Sequence, residues 1–184
     1  MRIISGCRRG HELYEFEGKD VRPTTDRVKE AVFNLIQMYV PGARVLDMFA
    51  GSGALSFEAL SRGARSAVLI DRDRRSVDII KKNAEALRFG GLCTIVNGSC
   101  FDYLKRYSGE KFDIVFMDPP YNMGLIEPAL EAAAESGALS ENGIIVLESD
   151  STDFRDEFSG LEIIKQRRYG RTYITVYSRA GEEK

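Results

Sequence analysis

The amino-acid sequence predicts an α/β protein built on a doubly wound, mostly parallel open sheet. From Ala43 to Leu147, short apolar runs alternate with segments of helical period. Several of these runs, among them Arg44–Met48, Ala67–Ile70 and Asp113–Met117, hold consecutive apolar residues rather than an alternation, as expected of strands covered by helices on both faces. With 184 residues and 43% hydrophobic composition, the chain is long enough for one sizeable core.

Taken in order, residues 1 to 25 alternate weakly around Gly6, Gly10 and Gly18, with Ile3, Ile4, Leu13, Tyr14 and Phe16 apolar. They predict a small hairpin appendage outside the main core, ahead of a main domain over 26–184. Thr24 or Thr25 can cap a helix from Asp26 to Tyr39, because Val28, Val32, Leu35, Ile36 and Tyr39 share one face, and Pro41-Gly42 ends it. Strands and helices then follow in turn over Arg44–Met48, Ser52–Ser61, Ala67–Ile70, Arg74–Leu87, Thr94–Asn97, Phe101–Tyr107, Asp113–Met117, Ile126–Glu135 and Ile144–Leu147. The last two expected strands, Leu161–Arg168 and Tyr173–Tyr177, are joined by Tyr169-Gly170-Arg171-Thr172 with no helix between them.

Composition narrows the chemistry. No apolar run is long enough to span a bilayer, and Met1–Gly10 lacks a signal-peptide pattern, so a cytoplasmic protein is expected. Three cysteines without a C-x-x-C pair fit neither a disulfide framework nor a zinc site, and a single histidine, His11, removes most metal-ligand and Ser-His possibilities. The net charge of -2 is unevenly spread: Glu110 to Glu157 holds twelve acids against Lys111 and Arg155. Lys165, Arg167, Arg168, Arg171 and Arg179 run without an intervening acid, and Arg2, Arg8, Arg9, Arg22 and Arg27 form an N-terminal group. Such groups suit either phosphate contacts or a solvated surface.

Three constellations carry chemistry. Asp47-Met48-Phe49-Ala50-Gly51-Ser52-Gly53 follows the first parallel strand and opens a helix, where glycines allow tight bending and free N–H groups favour polar or anionic ligands. Asp71 ends the next strand, twenty residues beyond Gly51, where a carboxylate can accept hydrogen bonds from both hydroxyls of a ribose. A dinucleotide motif would place a third small residue at the position of Ser56, which disfavours NAD. Asp118-Pro119-Pro120-Tyr121 follows the fourth strand. Two prolines fix a stiff bend that presents the carboxylate and carbonyls as acceptors beside an aromatic ring. That combination suits a flat base carrying an NH₂ group, whose nitrogen becomes nucleophilic once its hydrogens are held and it can pyramidalise.

These motifs resemble the class I S-adenosylmethionine-dependent amino-group methyltransferases. With Met1–Gly6, Arg22–Glu30, Phe33-Asn34 and Glu58–Ala64, the chain is similar over nearly its whole length to the RsmD family of small-subunit rRNA guanine-N2 methyltransferases. The resemblance implies a seven-stranded, Rossmann-like sheet with a reversed last strand. It implies that Asp47, Phe49, Ala50, Gly51 and Gly53 line the cofactor's amino-acid end, that Asp71 with Arg72 holds the ribose, and that Ser99, Cys100 and Phe101 flank the adenine. An acid often stands where this chain has Ser99, though a serine can also accept from the adenine amine. Asp118, Pro119, Pro120 and Tyr121 would be catalytic, and Arg22, Thr24, Thr25 and Arg27 would touch substrate RNA or cover the cofactor. The same Arg22–Arg27 stretch is equally an ordinary capped helix entrance.

The function expected is methyl transfer from S-adenosylmethionine to a guanine N2 in small-subunit rRNA or a partly assembled small subunit, with no metal and no membrane. Adenine-N6 methylation of DNA or RNA, or a non-catalytic RNA-binding module, are the competing readings. None of the cysteines adjoins a proline in a strand-end loop, which argues against a cysteine nucleophile.

Overall fold

Continuously apolar strands require helices on both faces, and that is how the chain is layered. The computed structural model describes residues 1–16, 26–120, 123–152, 154, 158 and 160–180. The elements are α1 (Asp26–Ile36), β1 (Arg44–Asp47), α2 (Ala54–Ser61), β2 (Ser66–Asp71), α3 (Arg74–Ala86), β3 (Cys93–Asn97), α4 (Cys100–Lys105), β4 (Phe112–Met117), α5 (Ile126–Glu135), β5 (Leu139–Ser149), β6 (Leu161–Tyr169) and β7 (Thr172–Arg179). The strands form one sheet in the order β3-β2-β1-β4-β5-β7-β6. The first five pair in parallel, and β7 inserts antiparallel between β5 and β6. The reversed last strand is therefore β7, reached through the tight turn at Gly170, whose φ of 64° suits glycine.

Side chains alternate across the sheet into two cores. Val45, Ile114, Phe116, Ile144 and Val146 face the side that contains Val32, Phe33, Phe57 and Ile80. Leu46, Val115, Met117, Ile145 and Leu147 face Leu104, Ala129, Leu130 and Ala133. Because β2 and β4 lie on opposite sides of β1, the strand order reverses beside β1, and the carboxyl ends of β1 and β4 meet at that crevice. Among the described residues no helix is long and apolar enough to cross a membrane.

Strand β5 begins at Leu139, five residues ahead of the expected Ile144, and two further elements differ from the sequence expectation. Helix α1 stops at Ile36 rather than Tyr39, and the Tyr39 N–H closes a tight turn onto the Ile36 carbonyl ahead of Pro41-Gly42. The N-terminal segment does make a hairpin, with an antiparallel bridge at Arg2 and Glu12. It does not lie outside the core: Ile3 is fully buried and Leu13 nearly so, both packed with α1 and α2. Its anchor is Glu58 of α2, also fully buried, which accepts from the Ile4 N–H (2.8 Å), the Ser5 N–H (3.0 Å) and Arg62 Nε (2.7 Å) and pairs with buried Lys29 at 3.4 Å. Lys29 also donates to the Arg2 carbonyl. Arg8, counted with the basic group, is committed to structure: its Nε donates to the Leu87 carbonyl (2.7 Å) and its guanidinium lies over Phe89.

Candidate active site

Strand β1 delivers Asp47 to the switch point, and the chain then bends through two glycines in left-handed conformation, Gly51 at φ 56° and Gly53 at φ 81°. The two glycines are needed for different reasons. A Cβ on Gly53 would stand 2.5 Å from the Phe57 ring and 2.9 Å from Leu69, whereas one on Gly51 would meet nothing within 4 Å. Gly53 is a packing glycine, and Gly51 borders open space. Strand β2 brings Asp71 alongside: its Oδ2 accepts from the Gly51 N–H and its Oδ1 from the Asp73 N–H, both at 2.8 Å. Asn97 at the end of β3 donates to the Asp71 and Arg72 carbonyls, fixing this strand end from the other side.

Asp47 is only 2% exposed. Burial pushes its carboxyl up to about 7, while the Ser56 hydroxyl, donating to Oδ2 at 2.9 Å, opposes the shift and the nearby charges of Asp118 and Asp71 add to it. Ser56, which breaks a dinucleotide pattern, is thus the buried partner of the first acid. Phe49 and Ala50 lie in the same loop, Ala50 tied by its N–H to the Ile70 carbonyl at 3.0 Å.

Beyond β3, Arg72 Nη2 donates to the Ser99 hydroxyl at 3.0 Å and its guanidinium stands 5.9 Å from the Phe101 ring centroid. Exposed Arg72 and half-buried Ser99 and Phe101 therefore form one group next to Asp71. The Cys100 side chain is buried in the core beside Leu104. Burial pushes the Cys100 and Cys93 thiols up to about 11 and about 12, well away from thiolate chemistry.

After β4, Asp118 is half-buried, Pro119 buried and Pro120 exposed. The structure thus brings Asp47, Asp71 and Asp118 to one crevice with the glycine loop. Tyr121, Arg22, Thr24 and Thr25 lie outside the described residues, and Arg27 is exposed on the first turn of α1. Asn83 was missed. It stands on the apolar face of α3 with Ile80 and Ala84, an out-of-place polar residue that was the available signal, and it donates to the Ser52 carbonyl of the glycine loop at 2.9 Å. Among the described residues no group of three or more His, Cys, Asp or Glu could hold a metal ion.

A family model described as "Conserved hypothetical protein 95" matches residues 1–178. The chain belongs to that family, the RsmD family. Within it, YlbH of Bacillus subtilis (strain 168) is 36% identical across 98% of this chain and the whole of that protein. Ribosomal RNA small subunit methyltransferase D of Escherichia coli (strain K12) is 40% identical across 82% of this chain and 75% of that protein. The solved structure of yhhF from Escherichia coli superposes with a TM-score of 0.86 at 34% identity, covering 97% of each chain.

Proposed function

We propose that this RsmD-family chain transfers the methyl group of S-adenosylmethionine to the exocyclic N2 amine of a guanine in small-subunit rRNA. The observation that carries it is the convergence of Asp47, Asp71 and Asp118 on a glycine loop whose Gly51 faces open space, at the switch point of a seven-stranded sheet. The residues present fit the cofactor. Asp71, already oriented by two backbone donors, keeps lone pairs for the ribose hydroxyls. Ser99 and Phe101 offer a polar edge and a ring for the adenine, with Arg72 beside them. Asp47, Phe49, Ala50, Gly51 and Gly53 would border the amino-acid end. When bound, S-adenosylmethionine supplies a methyl group on a positively charged sulfur.

Asp118 and the Pro119 carbonyl are assigned the two amine hydrogens, with Pro120 stiffening the bend and Tyr121 stacking on the base. Arg27, with Arg22, Thr24 and Thr25, is assigned to the RNA side. The substrate is rRNA, naked or in a partly assembled small subunit, and the cytoplasm is the compartment this reading calls for. The test uses rRNA and small-subunit particles from a strain lacking the gene, incubated with purified protein and labelled cofactor. Nucleoside mass spectrometry should find N2-methylguanosine. N6-methyladenosine would transfer the reading to the adenine alternative, and no incorporation into either substrate would refute it.

A further inference from the structure

Asn83, in the third turn of α3, is completely buried and joins three distant parts of the chain. Its Nδ2 donates to the Ser52 carbonyl (2.9 Å) and the Tyr14 carbonyl (3.0 Å), and its Oδ1 accepts from the Tyr14 N–H (2.7 Å). Both amide hydrogens are used, one on the glycine loop and one on the N-terminal segment.

The loop shows why this matters. The Ser52 carbonyl and the Gly53 N–H belong to one peptide unit. Asn83 holds the carbonyl, and the Ala50 carbonyl accepts from the Gly53 N–H at 2.6 Å. The Ala50–Gly51 unit is held likewise, by that same bond at its carbonyl and by Asp71 at its N–H. Between these two anchored planes, the Gly51–Ser52 unit has no hydrogen-bond partner among the described residues at either its carbonyl or its N–H. It is the peptide left to meet a ligand, and because one of its two pivots is the α-carbon of Gly51 it would reorient if either anchored flank were released.

We propose that Asn83 is a positioning residue for the cofactor loop, and that the N-terminal segment supports cofactor binding through the backbone of Tyr14. Tyr14 is in turn held by the segment's own attachments: the Met1 ammonium to Glu15 at 2.9 Å, the Leu13 N–H to the Met1 carbonyl at 2.9 Å, and the Glu58 anchor. Cofactor occupancy and docking of residues 1–16 are thereby coupled through one side chain. The inference rests on reading the glycine loop as part of the cofactor site.

The experiment compares Asn83→Ala, Asn83→Asp and Asp71→Ala with the parent by calorimetry with S-adenosylhomocysteine and by steady-state methyl transfer. Asn83→Asp keeps an acceptor for the Tyr14 N–H but loses both donated bonds, to the Ser52 and Tyr14 carbonyls, whereas Asn83→Ala loses all three. Both Asn83 variants should bind about tenfold more weakly, the scale of one lost buried hydrogen bond, with KM for the cofactor rising in step and kcat at saturation nearly unchanged. In the parent protein, S-adenosylhomocysteine should slow hydrogen exchange at the Tyr14 amide, a measurement that needs no variant. Parental affinity in folded Asn83 variants while Asp71→Ala binds poorly would overturn the clamp, as would a Tyr14 amide indifferent to ligand. Parental affinity in Asp71→Ala as well would overturn the cofactor-site reading itself.

Discussion

Replacing Asp47 by asparagine tests the central electrostatic feature of the crevice, because it removes a buried acid while keeping an oxygen for the Ser56 hydroxyl. Burial raises the folded-state pKa of Asp47 from an ordinary 3.8 to about 7. A raised acid pKa means that the folded chain holds a proton that the unfolded chain releases, so the parent loses stability as pH rises from about 4 to about 7. Above that window both states are ionised and the loss is complete. Between pH 5 and pH 8 the difference amounts to about 2 to 3 kcal/mol. An asparagine side chain cannot ionise and escapes this loss. Urea denaturation of the parent and of Asp47→Asn at the two pH values should show the variant gaining about 2 to 3 kcal/mol relative to the parent at pH 8, with similar m values. Parallel stability curves from pH 5 to pH 8 would show that Asp47 is ionised throughout, and would refute the assignment of a desolvated carboxyl at the end of β1.

The remaining predictions divide the site into packing and chemistry. Gly53→Ala combines left-handed backbone strain with a Cβ 2.5 Å from Phe57, so it should cost roughly 2 to 5 kcal/mol in thermal or urea melts. Gly51→Ala meets open space, so it should cost only the backbone strain of about 1 to 2 kcal/mol yet weaken S-adenosylhomocysteine in calorimetry; unchanged affinity would detach Gly51 from the cofactor. Glu58→Ala strands the buried Lys29 ammonium and two backbone N–H groups and should destabilise the fold by about 3 to 5 kcal/mol, with residues 1–16 becoming protease-sensitive. Asp118→Ala should lower kcat about a hundredfold or more with little change in cofactor affinity, and a parental rate would contradict the role given to that acid.

What the sequence determined by itself is local. Consecutive apolar residues in several runs, alternating with segments of helical period, specified five parallel strands and their helices; glycines at 51 and 53 and the turn at Gly170 announced their backbone conformations because few residues adopt positive φ. The acids at the ends of β1, β2 and β4 could be placed at one crevice because parallel strands all carry their carboxyl ends to the same edge. Tertiary structure decided the rest. Ile3 and Leu13 lie in a segment that alternates only weakly, and their burial depends on Glu58, more than fifty residues away from the Ile4 and Ser5 amides it holds. Ser56, Lys29 and Asn83 belong with them. Each is a polar residue whose partner lies in another element, and periodicity describes only which face of its own helix a residue occupies. Which carboxyl, carbonyl or amide that face meets depends on how the sheet stacks its helices.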